Sequence, residues 1–130
     1  MISNKNFFNN SKILPVDKFV ENVLYSKKIG YYSSKIPFGR SGDFLTAPGI
    51  SNLFSEIIGI WLVTTWSTLG RPKKFNIVEL GPGDGSLTKI LLKTFQQFPL
   101  FYKAANIFLY EKSNLLKNLQ KKNIDSVKVK

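Results

Sequence analysis

The residues in this chain that can do chemistry are a set of carboxylates and glycines around one short loop. Glu79 sits near the end of the apolar run Phe75-Asn76-Ile77-Val78-Glu79-Leu80. Gly81, Gly83 and Gly85 follow at alternate positions, with Asp84 between the last two. Glu111 closes a second apolar run, Ile107-Phe108-Leu109-Tyr110. Glycines at every second place let a backbone turn sharply and come close to a ligand that a Cβ would push away. The pattern is that of a cofactor loop, and the acids and the spacing decide which cofactor.

A P-loop requires a Lys-Ser/Thr pair at the head of the following helix, and here the helix opens Gly85-Ser86-Leu87 without one. A dinucleotide fingerprint reads G-x-G-x-x-G and seats a pyrophosphate on a helix N-terminus, whose partial positive charge favours anions. This chain reads G-x-G-x-G, and Asp84 stands where a pyrophosphate would meet its charge. The remaining ligand carries no phosphate and bears positive centres: S-adenosyl-L-methionine, toward which Glu79 and Asp84 are favourable. In a βαβ unit an acid at the end of the second strand accepts the ribose hydroxyls. Glu111 has that place in the order, although it lies further along than the usual spacing of about 20 residues. A three-glycine turn alone can be only a tight turn. Glu79 before it, a helix behind it and Glu111 closing the next strand make it a nucleoside-type cofactor site, with Glu79, Gly81, Gly83, Gly85 and Glu111 as the binding residues.

The elements that must position these residues follow from periodicity. The run from Phe75 to Leu80 is apolar at both parities, which predicts a parallel strand packed on both faces. Leu87, Ile90, Leu91, Phe95 and Phe98 continue at helical spacing, followed by a loop around Pro99. Upstream, Val16, Phe19, Val20, Val23 and Leu24 predict an amphipathic helix over 14–28, with Pro15 at its first position and Gly30 at its exit. Residues 31–50 hold Pro37, Gly39, Gly42, Pro48 and Gly49 and read as a long irregular, aromatic segment, a kind that is often functional. A strongly apolar helix is expected from about Ser51 to Leu69, ended by Gly70 and Pro72 and largely buried. After Glu111, Ser113 can cap a short helix carrying Leu115, Leu116 and Leu119, and Val127-Lys128-Val129 can begin a further strand.

Composition limits the alternatives. At 130 residues and 43% hydrophobic content the chain is one modest domain, or one domain and a fragment. It has no cysteine and no histidine, which excludes disulfides, Cys/His zinc sites and Ser-His or Cys-His nucleophiles. The run Ile57 to Val63 is too short to span a bilayer, so no membrane span is expected. A cytoplasmic location is expected, or a mitochondrial one if the source is eukaryotic. The net charge of +11 invites a nucleic-acid reading, but the lysines are scattered from Lys5 to Lys130 and only two arginines occur. Nucleic acid is therefore an unlikely partner.

Tyr31-Tyr32, the block Pro37-Phe38-Gly39-Arg40-Ser41-Gly42-Asp43-Phe44-Leu45-Thr46-Ala47-Pro48, then Ile50-Ser51 and Glu56, Glu79-Leu80-Gly81-Pro82-Gly83, and Glu111-Lys112-Ser113 together resemble one family. It is the MidA-like family of S-adenosylmethionine-dependent methyltransferases, whose mitochondrial members assist respiratory complex I assembly. The resemblance runs from about Leu14 to Gln120. It implies an α/β, Rossmann-like class I methyltransferase fold with S-adenosyl-L-methionine as cofactor. For mitochondrial relatives it implies dimethylation of arginine in a complex I subunit. The family's fold continues past the length of this chain, so an incomplete fold is expected, with only the first βαβ unit. Residues 1–72 would form an N-terminal helical and loop region, and 73–130 the start of the cofactor-binding domain. The resemblance places the adenine pocket and much of the acceptor site beyond residue 130, which makes a complementing C-terminal chain a candidate partner.

Two positions depart from the family: Gly49 stands where a Glu is usual, and Ser55 where a Gly is usual before Glu56. A Glu at position 49 would complete a capping box with Thr46, and Gly49 removes that half. The implied reaction is a displacement at a methyl group that depends on positioning, with carboxylates orienting a guanidinium and taking its proton. Asp43 and Glu56 are candidates for that work by neighbourhood. Asp43 is equally readable as a carboxylate capping a turn, Glu56 as a buried or half-buried acid satisfied by its surroundings, and Thr46 as a helix cap. The alternatives for the whole chain are a non-catalytic remnant and a basic partner-binding module.

Overall fold

A computed structural model describes residues 13–39 and 42–130, so Arg40 and Ser41 of the aromatic block lie outside the described residues. In chain order the elements are α1 (Val16–Tyr25), α2 (Tyr31–Ser34), α3 (Ala47–Ile50), α4 (Asn52–Thr68), β1 (Phe75–Leu80), α5 (Ser86–Gln96), α6 (Pro99–Ala104), β2 (Ala105–Tyr110) and α7 (Asn114–Asn123). The two strands pair in parallel, in register from Phe75 opposite Ala105 to Leu80 opposite Tyr110. Parallel neighbours need a crossover of a dozen or more residues, and α5 with α6 provides it. A parallel bridge between Ile107 and Val129 starts a third strand position on the far side of β2, as the apolar pair Val127 and Val129 predicts. β1 therefore stands at the edge of the sheet among the described residues.

The core lies on one face of this sheet. In-register residues share a face, so Phe75 and Ile77 of β1 join Ala105 and Ile107 of β2 under α4, α5 and α6. Phe95 and Phe101 are fully enclosed there, with ring centroids 4.7 Å apart. Trp66 meets Phe101 edge-on at 5.6 Å and ties the end of α4 to the crossover, while its Nε1 donates to the Pro72 carbonyl at 2.9 Å. Aromatic pairs tilted in this way contribute beyond the area they bury.

The structure corrects several expectations. β1 is covered on one face only: Val78 is 53% exposed and Leu80 77%, because every helix of the crossover and α4 lies on the opposite side. α4 is not largely buried. Its Ser55, Gly59 and Trp66 are buried, but Leu53, Phe54, Ile57, Ile60 and Trp61 form an exposed apolar stripe, since α4 packs chiefly on α5 along one side, with further contacts through Trp66 and to the short α3. Pro15 is the residue before α1 rather than its first residue, and Gly30 precedes α2. α1 buries none of its residues fully. The segment 31–50, expected to be irregular, contains α2 and α3 and a parallel bridge between Phe38 and Phe44. Pro99, expected in a loop, starts α6, a position where its missing N–H costs nothing.

Capping was legible to different degrees. The Ser113 hydroxyl accepts from the Leu116 N–H at 3.3 Å, the expected cap of α7, and Ser51 caps α4 through the Leu53 N–H at 3.2 Å. Thr46 occupies the N-cap place of α3, but its side chain makes no capping hydrogen bond.

The α4–α5 contact is close at Gly59, where a Cβ would lie 2.8 Å from Cγ2 of Thr94 and 3.4 Å from Cδ2 of Leu91. Nearby on the same face, the Ser55 hydroxyl is buried without a hydrogen-bond partner among the described residues. Gly59→Ala is expected to lower unfolding stability by about 1–3 kcal/mol through overpacking. Ser55→Ala, which removes an unsatisfied polar group and improves helix propensity, should raise it by about 1 kcal/mol. Denaturant midpoints of the two variants check both signs, and a stabilised Gly59→Ala would show that α4 is not seated this closely.

Candidate cofactor site

The parallel register brings the ends of the two strands together. The Gly81 N–H donates to the Tyr110 carbonyl at 2.9 Å, which carries the ladder one residue past β1 and leads the loop off beside Glu111. Gly81, Gly83 and Gly85 have φ of 66°, 58° and 81°, the left-handed region that side chains disfavour. Space is short as well: a Cβ on Gly83 would lie 3.2 Å from the Phe38 ring, and one on Gly85 2.7 Å from Cδ1 of Ile124. The loop closes with the Gly85 N–H on the Pro82 carbonyl at 2.9 Å, and α5 begins. Asp84 is engaged locally: its carboxylate accepts from the Ser86 N–H at 3.0 Å and the Ser86 hydroxyl at 2.7 Å, holding the first turn of α5.

Between Gly81, Gly83 and Glu111 on one side and Tyr25, Tyr32 and Phe38 on the other lies a cavity of about 150 Å³, floored by Leu116. Ligand pockets usually measure about 300–1,000 Å³, so this volume takes part of a nucleoside-bearing molecule and leaves the rest in the open. A larger hollow of about 340 Å³ lies behind the loop, between Leu109, Lys117, Lys121, Val129 and Lys130, and shares Gln120 and Ile124 with the back of the glycine turn, but no glycine or carboxylate lines it.

The aromatic wall was not foreseen as part of the site. Tyr25 stacks on Tyr32 at 5.7 Å, and Tyr32 on Phe38 at 6.4 Å. For Tyr32 and Phe38 the signal available was the density of aromatics in residues 31–50; Tyr25, at the end of α1, lies outside that stretch. The three residues 111–113 fix this wall to the sheet. Glu111 faces the cavity and its Oε1 accepts from the Ser113 N–H at 2.8 Å. Lys112 Nζ lies 3.0 Å from Glu21 Oε1 and 4.5 Å from the Tyr25 ring centroid, gripping α1. The Ser113 hydroxyl donates to the Tyr32 carbonyl, gripping α2. The Lys112 ammonium holds the Glu21 carboxyl below its ordinary value.

The remaining candidates are placed elsewhere. Gly85 adjoins the cavity's loop but faces Ile124 and Gln120. Asp43 is exposed and accepts from both Lys35 Nζ and the Tyr31 hydroxyl; the Lys35 bond, then the Tyr31 bond, lowers its pKa. Tyr31 is pushed up to about 12, by desolvation first and by the Asp43 bond next. Glu56 is exposed, not buried or half-buried, and lines a separate groove between α4 and α5 with Lys93 and Gln97, because α4 turns it away from the strand ends. Among the described residues no cluster of acids could hold a metal ion.

Glu79 lies in the packed layer, where the buried Thr88 hydroxyl donates to its Oε2. Burial raises its pKa above the ordinary value of 4.5; the Thr88 bond opposes this and the Asp84 charge adds to it. Between 4.5 and the raised folded value, the native state holds a proton that the unfolded chain has lost. Stability from this group is thus full below that window and lost as pH rises through it. Glu79→Gln should therefore gain stability relative to the wild type between about pH 4 and about pH 7. Urea midpoints at the two pH values check this, and a difference that does not change with pH would contradict it.

Comparison with known proteins places this geometry. Residues 57–130 match the family of S-adenosyl-L-methionine-dependent methyltransferases. The chain is 46% identical over 85 residues to the mitochondrial protein arginine methyltransferase NDUFAF7 homolog of Drosophila melanogaster, covering 65% of this chain and 20% of that protein. It is 37% identical over 118 residues to mitochondrial protein arginine methyltransferase NDUFAF7 of Mus musculus, covering 89% of this chain and 27% of that one. It thus spans about a quarter of the length of the curated relatives it matches. In structure it resembles a COG1565 superfamily member from Burkholderia thailandensis bound to S-adenosyl-homocysteine, with a TM-score of 0.72, 26% identity, and coverage of 90% of this chain and 32% of the other. No helix among the described residues is long and apolar enough to cross a membrane. With its glycine loop, its acid-terminated strands and these matches, the chain belongs to the family of S-adenosyl-L-methionine-dependent methyltransferases.

Proposed function

We propose that this chain builds the cofactor-holding end of a protein arginine methyltransferase, with S-adenosyl-L-methionine bound between the glycine loop and Glu111. The observation that carries the reading is the cavity in which Gly81, Gly83 and Glu111 face a wall of tyrosine and phenylalanine. The residues present suit that cofactor. Gly83 leaves backbone where a Cβ would crowd the Phe38 ring, Gly81 takes a left-handed turn that a side chain disfavours, the carboxylate is an acceptor for ribose hydroxyls, and among the described residues no Lys or Arg lines the cavity to call for a phosphate. The cofactor, when bound, supplies an electrophilic methyl group. The protein's part is to hold it: Gly81 and Gly83 admit its close approach, Glu111 fixes the ribose, and Tyr25, Tyr32 and Phe38 exclude water from one side. Glu79, placed beneath the loop, acts from the packed side, and Gly85 acts by letting the chain turn into α5. In this reading residues 73–130 are the start of the cofactor-binding domain and 1–72 an N-terminal helical and loop region, from which Tyr25, Tyr32 and Phe38 reach the cavity.

The proposed acceptor is an arginine of a protein partner, the chemistry named for the curated relatives; the MidA-like resemblance narrows it to a subunit of respiratory complex I. The mitochondrial names of those relatives support a mitochondrial location over a cytoplasmic one if the source is eukaryotic. Asp43, half-exposed and adjoining the aromatic wall through Tyr31, is the better of the two carboxylates proposed to orient a guanidinium. A second reading, cofactor binding without completed transfer, is favoured by one observation: neither Asp43 nor Glu56 lines the cavity, where Glu111 is the one carboxylate among the described residues.

Calorimetric titration of the folded chain with S-adenosylhomocysteine tests the reading. Roughly micromolar affinity is expected, with Glu111→Ala weakening it by about tenfold or more. A folded chain that takes up no ligand would overturn the proposal. An unchanged affinity in Glu111→Ala would remove that residue from the site.

A further inference from the structure

The last turn of α7 reaches back to the glycine loop with two side-chain amides. Gln120 Nε2 donates to the Gly83 carbonyl at 2.7 Å, and Asn123 Nδ2 donates to the Asp84 carbonyl at 2.9 Å. These residues stand 37 and 39 positions from their acceptors, so the contacts are made by the fold and not by local sequence. Gln120 is 6% exposed, one of few buried polar side chains among the described residues. Burying an amide carries a desolvation cost that only well-made hydrogen bonds offset, and an apolar residue would fill the same space without it. Ile124, one residue further on, closes over Gly85, so the end of α7 touches the loop at three consecutive residues.

A loop with glycine at every second place has many backbone states, and a ligand that selects one of them must pay for ordering the rest. Peptide planarity makes the carbonyl contacts effective against this: holding the Gly83 carbonyl toward α7 turns the next N–H, that of Asp84, to the opposite side. Holding the Asp84 carbonyl does the same for the Gly85 N–H, which meets Pro82. Two peptide planes, those of Gly83–Asp84 and Asp84–Gly85, are fixed from behind, and with them the torsions of Asp84 between them and the entry to the left-handed Gly85.

We propose that Gln120 and Asn123 are positioning residues of the cofactor site, which set the glycine loop in its binding conformation before any ligand arrives. The inference rests on the reading of this loop as the cofactor cradle. Its test has one arm that needs no ligand. Amide hydrogen exchange of residues 83–86, followed by nuclear magnetic resonance in the free protein, should accelerate by about tenfold in Gln120→Met, which keeps the volume and lacks the donor. Exchange in β2 should not change. Asn123→Ala, at a less buried position, provides a second variant that keeps the fold if Gln120→Met does not. In the second arm, S-adenosylhomocysteine affinity should fall in the order Gln120, Gln120→Met, Gln120→Glu, because a carboxylate facing the Gly83 carbonyl repels it. A role in packing alone would leave Met and Glu variants following their thermal midpoints instead.

Unchanged loop exchange in both folded variants overturns the proposal, as does faster exchange with unaltered ligand affinity. If the wild-type chain binds no S-adenosylhomocysteine, the cofactor reading fails and the positioning role with it. The exchange arm then still decides whether the two amides hold the loop.

Discussion

The register of one parallel ladder governs the site. With Leu80 opposite Tyr110, the loop that leaves β1 and the carboxylate that ends β2 emerge side by side, and the Gly81 N–H on the Tyr110 carbonyl locks that relation. A slip by one residue would move Glu79 and Ile77 from the packed face to the exposed one and separate Gly81 from Glu111. The aromatic core under the sheet prevents the slip. Phe75 and Ile107 are committed to contacts with Phe101 and its neighbours, and this register sets the partly buried Phe75 and the buried Ile107 on the same packed face.

From that fixed point the site is assembled by short-range groups with two tasks each. Asp84 holds the start of α5 through Ser86 while its own carbonyl is held by Asn123. Ser113 caps α7 and anchors the Tyr32 backbone. Glu111 orders the turn after β2 and faces the cavity. Such sharing ties the precision of the loop to the seating of α7, so that a substitution at the end of that helix acts on the glycines without contact with a ligand. The N-terminal elements are held more lightly. α1 buries no residue fully, and the contacts that tie it to the strand ends include an exposed ion pair, of a kind that solvent screens strongly, and ring stacking on Tyr25.

The apolar surface left uncovered has a common cause. The α4 stripe and the outer face of β1 both belong to elements with two apolar sides, and the fold supplies one packing layer for each. Burial of the other sides needs a further layer, as parallel sheets ordinarily have. The relatives, of which this chain spans 20% and 27%, are large enough to hold one.

What the sequence determined was local and periodic. Strand, glycine loop and helix from Phe75 to Phe95 were legible because each residue's demand is met by near neighbours: a short continuous apolar run, left-handed glycines, a helical stripe. The same holds for Ser113 as a cap and for Glu111 as the acid closing the second strand. The family was legible because its motifs are contiguous words in the chain. The tertiary structure decided everything that depends on which faces meet. Two-sided apolarity in β1 and α4 states that both sides can be buried, not that both are. Tyr25, Tyr32 and Phe38 became a wall only because residues 111–113 draw them onto the strand ends. Glu56 and Asp43, both close to the motif block, lie on separate surfaces, Glu56 in the groove between α4 and α5 and Asp43 against Lys35 and Tyr31. Gln120 and Asn123 carried no signal at all, since a polar residue on a helix reads as solvent-facing until a loop from 37 positions away is placed against it.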